Sequence, residues 1–240
     1  MEKTLETLKV KIFADGADLS GMIEMASLPY ISGLTTNPTL MKKAGISSYV
    51  EFAKDVLREI SQKPISFEVF SDEMDEMKVQ AEKISSWGDN VFVKIPISNT
   101  RGESTKPLIK YLTNNGIKVN VTALMTNNQV MHVIDALNPK VECYISVFAG
   151  RIADTGRDPI PVMKDCLDSL SHLPKAELIW ASPRELLNVF QADQISCHII
   201  TATNDLLAKL KIVGKNLEEY SLETVKMFRD DAVSSNFSLS

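Results

Sequence analysis

Eight short runs of apolar and β-branched residues recur along the chain, at Lys11–Asp15, Gly33–Asn37, Ile65–Phe70, Val91–Ile95, Lys118–Leu124, Cys143–Ala149, Glu177–Ser182 and Cys197–Thr203. Stretches with helical periodicity separate them, at Leu19–Ala26, Tyr49–Ser61, Asp72–Trp87, Thr105–Asn114, Asn127–Leu137, Pro159–Ser171, Pro183–Phe190 and Asn204–Leu210. A strand followed by a crossover helix, eight times over, predicts a parallel α/β sheet. In 240 residues, eight such units fit a closed (β/α)8 barrel of the TIM type better than an open doubly wound sheet, which has fewer strands and a Gly-rich first turn. A ninth helix is expected at Leu217–Asp230, followed by the polar tail Ala232–Ser240. The expected organisation is one domain over 1–240, with 217–240 a C-terminal helix and tail that either docks on a neighbouring subunit or folds back on its own barrel.

Side chains of a barrel strand alternate between the helices and the interior, and barrel active sites lie at the carboxyl ends of the strands. On this rule Ile12 and Ala14 face the helices and Asp15 the interior, while Leu34 points out and Thr35 and Asn37 point in. Ile65, Phe67 and Val69 point out with Glu68 inward, and Val91, Val93 and Ile95 point out with Lys94 inward. The fifth strand places Val119, Val121 and Ala123 outward with Asn120 and Thr122 inward; the sixth places Ser146 and Phe148 inward. Helix-covered parallel strands normally read as continuous Val/Ile/Leu runs, so this concentration of polar groups on one face needs a reason. A purely structural Lys94–Glu68–Asp15 ion cluster is the plain alternative, but desolvating three charges costs several kcal/mol per ion.

Composition narrows the partners. The chain is 44% hydrophobic and 24% charged, which is ordinary for a globular domain able to build a large core. A net charge of −5 offers no concentrated basic surface for nucleic acid or an anionic membrane. No apolar run reaches 18 residues, so no membrane span or classical export signal is expected. Cys143, Cys166 and Cys197 lack CxxC spacing and read as reduced thiols of a cytoplasmic protein. Neither a phosphate loop, an HExxH motif nor a Cys/His cluster is present, and His132, His172 and His198 are scattered.

A lysine desolvated inside a barrel can attack a carbonyl as the neutral amine, which makes Lys94 a candidate Schiff-base nucleophile. The iminium so formed is an electron sink, and a carboxylate that deprotonates a β-hydroxyl then drives retro-aldol cleavage. Asp15 is the candidate for that base. Glu68, on the strand before Lys94, is positioned to shuttle protons through a water held by Thr122. Asn37, Asn120 and Ser146 offer hydrogen bonds to sugar hydroxyls. An anion site is expected after the seventh strand, where Ser182, Pro183 and Glu185 read as a capping box opening a helix and Arg184 adds a forked donor. Arg151, after the sixth strand, supplies a second guanidinium. Asp154–Asp158 reads as a polar rim loop, with Asp158 and Pro159 starting the next helix.

The segments FADGAD (13–18), GLTTNPT (33–39), FEVF (67–70), VKIP (93–96), NVTAL (120–124), SVFAGRI (146–152) and ASPR (181–184) resemble, in order and spacing, the transaldolase family. The length resembles its short bacterial and archaeal branch, which also contains fructose-6-phosphate aldolases. The resemblance implies a Schiff base on Lys94, with Asp15, Glu68 and Thr122 as the other catalytic residues. It implies substrate contacts by Thr35, Asn37, Asn120, Ser146 and Phe148, and phosphate contacts by Arg151, Ser182 and Arg184. The implied reaction is transfer of dihydroxyacetone between sugar phosphates, fructose 6-phosphate or sedoheptulose 7-phosphate serving as donor, within the pentose phosphate pathway. No metal or organic cofactor is implied, and the implied assembly is a homo-oligomer, a pentamer or decamer. The aldolases of the branch carry glutamine where Glu68 stands and a tyrosine at about Met125, so transfer rather than cleavage is expected. Pro183 departs from the usual phosphate loop and leaves open an unusual sugar phosphate or a sulfonated analogue as substrate; the alternative reaction is that of a fructose-6-phosphate aldolase-like enzyme.

Overall fold

In a computed structural model describing residues 5–235 and residue 237, eight parallel strands form one closed barrel in chain order. They are β1 (Lys11–Asp15), β2 (Ile31–Thr35), β3 (Ile65–Glu68), β4 (Val91–Pro96), β5 (Val119–Leu124), β6 (Cys143–Val147), β7 (Ala176–Trp180) and β8 (Ile199–Thr203). β1 pairs with β2 on one side and β8 on the other, which completes the (β/α)8 barrel expected from the sequence. The helices are α1 (Leu19–Ser27), α2 (Pro38–Lys43), α3 (Tyr49–Glu59), α4 (Met74–Ser85), α5 (Lys106–Asn114), α6 (Asn127–Ile134), α7 (Ala149–Asp154), α8 (Pro159–Leu170), α9 (Leu187–Gln194), α10 (Asn204–Leu207) and α11 (Leu217–Ser234).

Two helices have no counterpart in the sequence pattern. At α2 the chain leaves β2 at Thr35, and Asn37 caps the helix by accepting from the Leu40 N–H at 3.0 Å, with Pro38 in the first turn. At α7 the sixth strand stops at Val147 and Phe148 stands at the helix N-cap. Each has only six residues, too few turns for a 3.6-residue period to emerge. Both lie in loops at the carboxyl ends of strands. Elsewhere local chemistry matches expectation: Asp158 caps α8 through the Ile160 N–H, and Pro159 occupies its first turn.

The barrel wall separates two apolar layers. Outward residues such as Ile12, Leu34, Phe67, Val93, Val121, Ile145 and Trp180 pack under the helices in the larger core. Inside, Phe13, Phe92, Tyr144, Ile179 and Ile199 form a separate plug. The Phe92 and Tyr144 rings stack with centroids 4.0 Å apart, and Phe13 meets Tyr144 edge-on at 5.6 Å. The Phe13 ring occupies the space beside Gly33, where an added Cβ would lie 2.5 Å from a ring atom, so the plug requires glycine there.

One parity expectation fails. Ala123 has φ of 64° and lies where the β5–β6 pairing is irregular between Val121 and Leu124. This bulge turns Leu124 into the outer core and leaves Ala123 on the cavity wall.

The ninth helix is present and longer than expected, running to Ser234; Asn216 caps it by accepting from the N–H groups of Glu218 and Glu219. None of its residues is buried, and Leu217, Tyr220, Val225, Met227 and Phe228 are all exposed. Of the expected tail, residues 236 and 238–240 lie outside the described residues. No helix of the described residues is long and apolar enough to cross a membrane.

Candidate active site

A cavity of about 440 Å³ opens at the carboxyl ends of the strands. Its wall includes Asp15, Thr35, Asn37, Glu68, Lys94, Thr122, Ser146, Phe148, Arg151 and Ser182. Ten of the twelve residues singled out from sequence thus converge on one volume, contributed by seven of the eight strands or the segments that follow them.

Lys94 sits at the centre, with 7% of its surface exposed. β3 and β4 are in register with Glu68 opposite Lys94, and the two side chains form an ion pair with Nζ 3.2 Å from Oε2. The ammonium also donates to the Thr36 carbonyl at 3.2 Å. Glu68 is braced from behind, because the Tyr49 hydroxyl of α3 donates to its backbone carbonyl at 2.8 Å. A charged pair this poorly solvated contributes little to stability relative to apolar packing, but it places a proton acceptor beside the amine.

Asp15 ends β1 opposite Thr35 of β2. The Thr35 hydroxyl donates to its Oδ1 at 2.7 Å, and Asn37 approaches Oδ2 at 3.5 Å. Burial pushes the Asp15 carboxyl above the ordinary aspartate range, opposed by the nearby Lys94 charge and by the bonds from Thr35 and Asn37. A carboxylate with raised basicity is suited to taking a hydroxyl proton. β1 is itself anchored at its entry, where Asp193 of α9 accepts from the N–H groups of Lys9 and Val10 at 2.6 and 3.0 Å.

Asn120 is completely buried and lies beneath the cavity rather than on its wall. Its amide donates to the Ser66 hydroxyl at 2.9 Å and its carbonyl accepts from Ser146 at 2.7 Å. It therefore orients Ser146 from below. The Thr122 hydroxyl is buried with no protein partner, as is that of Thr36. A buried hydroxyl left without a partner costs free energy unless something else meets it, which suits an added water or ligand oxygen.

The anion end differs most from expectation. Ser182, Pro183 and Glu185 do not form a capping box: α9 starts at Leu187, with no side-chain cap from Leu186. Ser182 has φ of 60°, outside the geometry of an N-cap, and Asn188 instead accepts from the N–H groups of Arg184 and Glu185 at 2.8 and 3.2 Å. Arg184 does not line the cavity. Its guanidinium grips Asp154 of α7 through Nε at 2.8 Å and Nη2 at 2.5 Å, and reaches back to the Ser182 hydroxyl at 3.0 Å. Arg151 does line the cavity, near the Phe148 ring, and has no ion-pair partner among the described residues. Gly150 lets α7 approach this loop, since a Cβ there would stand 1.6 Å from the Ser182 carbonyl oxygen.

Sequence reasoning missed Thr39, Leu40 and Thr201 on the cavity wall. Thr39 and Leu40 belong to the unforeseen α2, but Thr201 follows Ile199 at interior parity on β8, a signal available in the sequence. Met125, in contrast, does not face the reacting groups. It is 38% exposed, off the cavity wall, with its N–H bound to Gln129 at the start of α6. Among the described residues no cluster of three or more His, Cys, Asp or Glu side chains is placed to hold a metal ion.

The family described as Transaldolase/Fructose-6-phosphate aldolase matches residues 12–239. A relative named "Probable transaldolase" from Sulfurihydrogenibium sp. (strain YO3AOP1) is 35% identical, covering 84% of this chain and 88% of its own. Another of that name, from Thermoanaerobacter sp. (strain X514), is 32% identical over 90% of this chain and 95% of its own. Among solved structures, KGPDC from Streptococcus mutans superposes with a TM-score of 0.56 at 11% identity, over 87% of this chain and 100% of that one. That likeness is one of fold alone.

Proposed function

The chain belongs to the transaldolase/fructose-6-phosphate aldolase family, and from that membership we propose that it transfers dihydroxyacetone from a ketose phosphate to an aldose phosphate through a Schiff base on Lys94. Membership makes it an aldolase- or transaldolase-type enzyme; donor, acceptor and residue roles are the proposal. The observation that carries it is the pairing of Lys94 with Glu68 at 3.2 Å in the cavity that Asp15 enters from β1.

In this reading the neutral amine of Lys94 adds to the C2 carbonyl of fructose 6-phosphate or sedoheptulose 7-phosphate. Glu68 moves protons, by way of a water at the Thr122 hydroxyl, as the carbinolamine loses water to become an iminium. Asp15 takes the proton of the C4 hydroxyl, the C3–C4 bond breaks, and its electron pair passes into the iminium to leave an enamine. The aldose phosphate departs. The enamine then attacks an acceptor aldehyde, Asp15 returns its proton to the new alkoxide, and hydrolysis frees the product and Lys94. Thr35 supports Asp15, and Asn37 and Ser146 orient the sugar hydroxyls while Phe148 packs against the carbon chain. Asn120 acts through Ser146. The phosphate meets Arg151 and Ser182, and Arg184, held by Asp154, braces the Ser182 segment from outside the cavity.

Borohydride added with fructose 6-phosphate should fix a dihydroxyacetone-sized mass on Lys94 and none on a Lys94→Met variant. Product should form only when erythrose 4-phosphate is also present. Free dihydroxyacetone released without an acceptor would overturn transfer in favour of aldol cleavage. The same reading includes a homo-oligomer, a pentamer or decamer, supported by the uncovered apolar residues of α11. Light scattering on the full chain tests it, and a monomer would refute it.

A further inference from the structure

Resting on the role proposed for Asp15, we propose that Thr201 of β8 is a positioning residue that sets the basicity of Asp15 through the Thr35 hydroxyl. Three side chains form a line across three adjacent strands. The Thr201 and Thr35 hydroxyl oxygens are 2.6 Å apart, and Thr35 reaches Asp15 Oδ1 at 2.7 Å. Thr35 is 2% exposed and Thr201 6%.

Counting protons fixes the direction. An ionised carboxylate only accepts, so Thr35 spends its single hydroxyl proton on Asp15. The bond between the two threonines must then be donated by Thr201. A hydroxyl that accepts one hydrogen bond while donating another is a stronger donor, and chains of this kind reinforce each other in a poorly solvated site. Thr201 therefore strengthens the bond that holds Asp15 in its anionic form, without touching Asp15 itself. It also keeps the Thr35 hydroxyl from rotating towards another acceptor.

The surroundings leave few other groups to do this. β1 is flanked only by β2 and β8; Thr35 of β2 and Asn37 just after it reach Asp15, and Thr201 of β8 reaches Thr35. The charges sharing the cavity are Lys94 of β4, Glu68 of β3 paired with it, and Arg151 of α7. On the outside of β1, Asp18 at the start of α1 is held by Gly21 and Ser20, and Asp205 of α10 by Thr203. Burial drives Asp15 towards protonation, so the site depends on the donors opposing that drive, and half of the hydroxyl pair comes from β8.

The test compares Thr201→Val, which keeps the branched shape and removes the hydroxyl, with Thr201→Ser, which keeps the hydroxyl. In Thr201→Val the acidic limb of kcat/KM should move up by about half to one pH unit. That corresponds to a loss of about three- to ten-fold on the acid side, with near wild-type values on the alkaline plateau. Thr201→Ser should restore the wild-type limb. Titration of the Asp15 carboxyl, followed by 13C NMR of labelled aspartate, should move in parallel and needs no turnover. An unchanged Asp15 titration in Thr201→Val, where Thr35→Val shifts it, would overturn the proposal. So would a rate loss equal at every pH, which indicates a merely structural role. Failure of wild-type protein to trap a Schiff base would instead sink the proposed reaction and leave the titration to judge Thr201.

Discussion

The two ends of the barrel interior are built on the same strands, two residues apart, and they are chemical opposites. On β1 Phe13 lies below Asp15, on β4 Phe92 below Lys94, on β6 Tyr144 below Ser146, and on β8 Ile199 below Thr201. One step of two residues, about 6.6 Å along a strand, keeps the face and changes the neighbourhood. The lower layer is a dry plug of stacked rings with its aromatic surface removed from water. The upper layer holds an ion pair, a carboxyl displaced from its ordinary range, and the buried Thr122 hydroxyl without a protein partner. The plug stabilises the barrel, and the layer above spends part of that stability on groups arranged for chemistry. Substitutions in the two layers should therefore act on different measurable quantities.

The sharpest contrast is expected at Asp15. Asp15→Asn should lower transfer by about 10²- to 10⁴-fold, the usual range for a lost general base. Its Tm at neutral pH should equal or exceed that of wild type. The sign follows from the raised folded-state value, since the folded protein holds the Asp15 proton more tightly than the unfolded chain. Its contribution to stability is present at pH below the ordinary aspartate value and is lost as pH rises through the folded one. An Asp15→Asn protein that unfolds readily would break the contrast. The mirror experiment is Phe92→Ala in the plug. It should cost about 3–5 kcal/mol in denaturant unfolding, the range for a buried phenylalanine, while Lys94 of the protein that remains folded is still trapped by borohydride. Loss of trapping at unchanged stability would mean that the two layers are not separable.

A smaller effect is expected where α7 meets the loop after β7. Gly150→Ala pushes the Ser182 segment away, and should raise KM for a phosphorylated donor about ten-fold with little change in kcat, because binding rather than chemistry is disturbed. An equal fall in kcat would place this loop in the reacting layer. The smallest effect belongs to His198, just before β8. Its Nδ1 accepts from the Leu178 N–H at 3.0 Å, and burial lowers its basicity. The neutral ring is the folded form, so stability should be complete above the ordinary imidazole value of about 6.5 and decline as pH falls through the lower folded one. With the ring half-buried and partly screened, the expected change is about 2 °C in Tm between pH 7.5 and 5.5, absent in His198→Asn.

Much of the fold and of the site was legible because both follow period-two patterns. Alternation along β1, β3 and β4 identified Asp15, Glu68 and Lys94 as interior groups, and a closed barrel brings interior groups at strand ends together whatever the details. Where the backbone leaves a regular period, legibility ends. Parity failed at Ala123 because a bulge inserts a residue that no propensity announces. The helices α2 and α7 were too short to register, and with them went Thr39 and Leu40. Arg184 and Ser182 read as a helix start, but the start moved when Asn188 satisfied the backbone of the loop instead.

By itself, then, the sequence determined eight strand–helix units, the face of the interior residues wherever the strands stay regular, and the set of groups available for carbonyl chemistry. Those are properties of alternation and composition, which act over a few residues. Only the tertiary structure decided the partners: Lys94 with Glu68 and the Thr36 carbonyl, Arg184 with Asp154 rather than with the cavity, and Thr201 with Thr35 across β1. Hydrogen bonds and ion pairs form within about 3 Å, and which side chains come that close across the barrel depends on strand register, a bulge and two short helices.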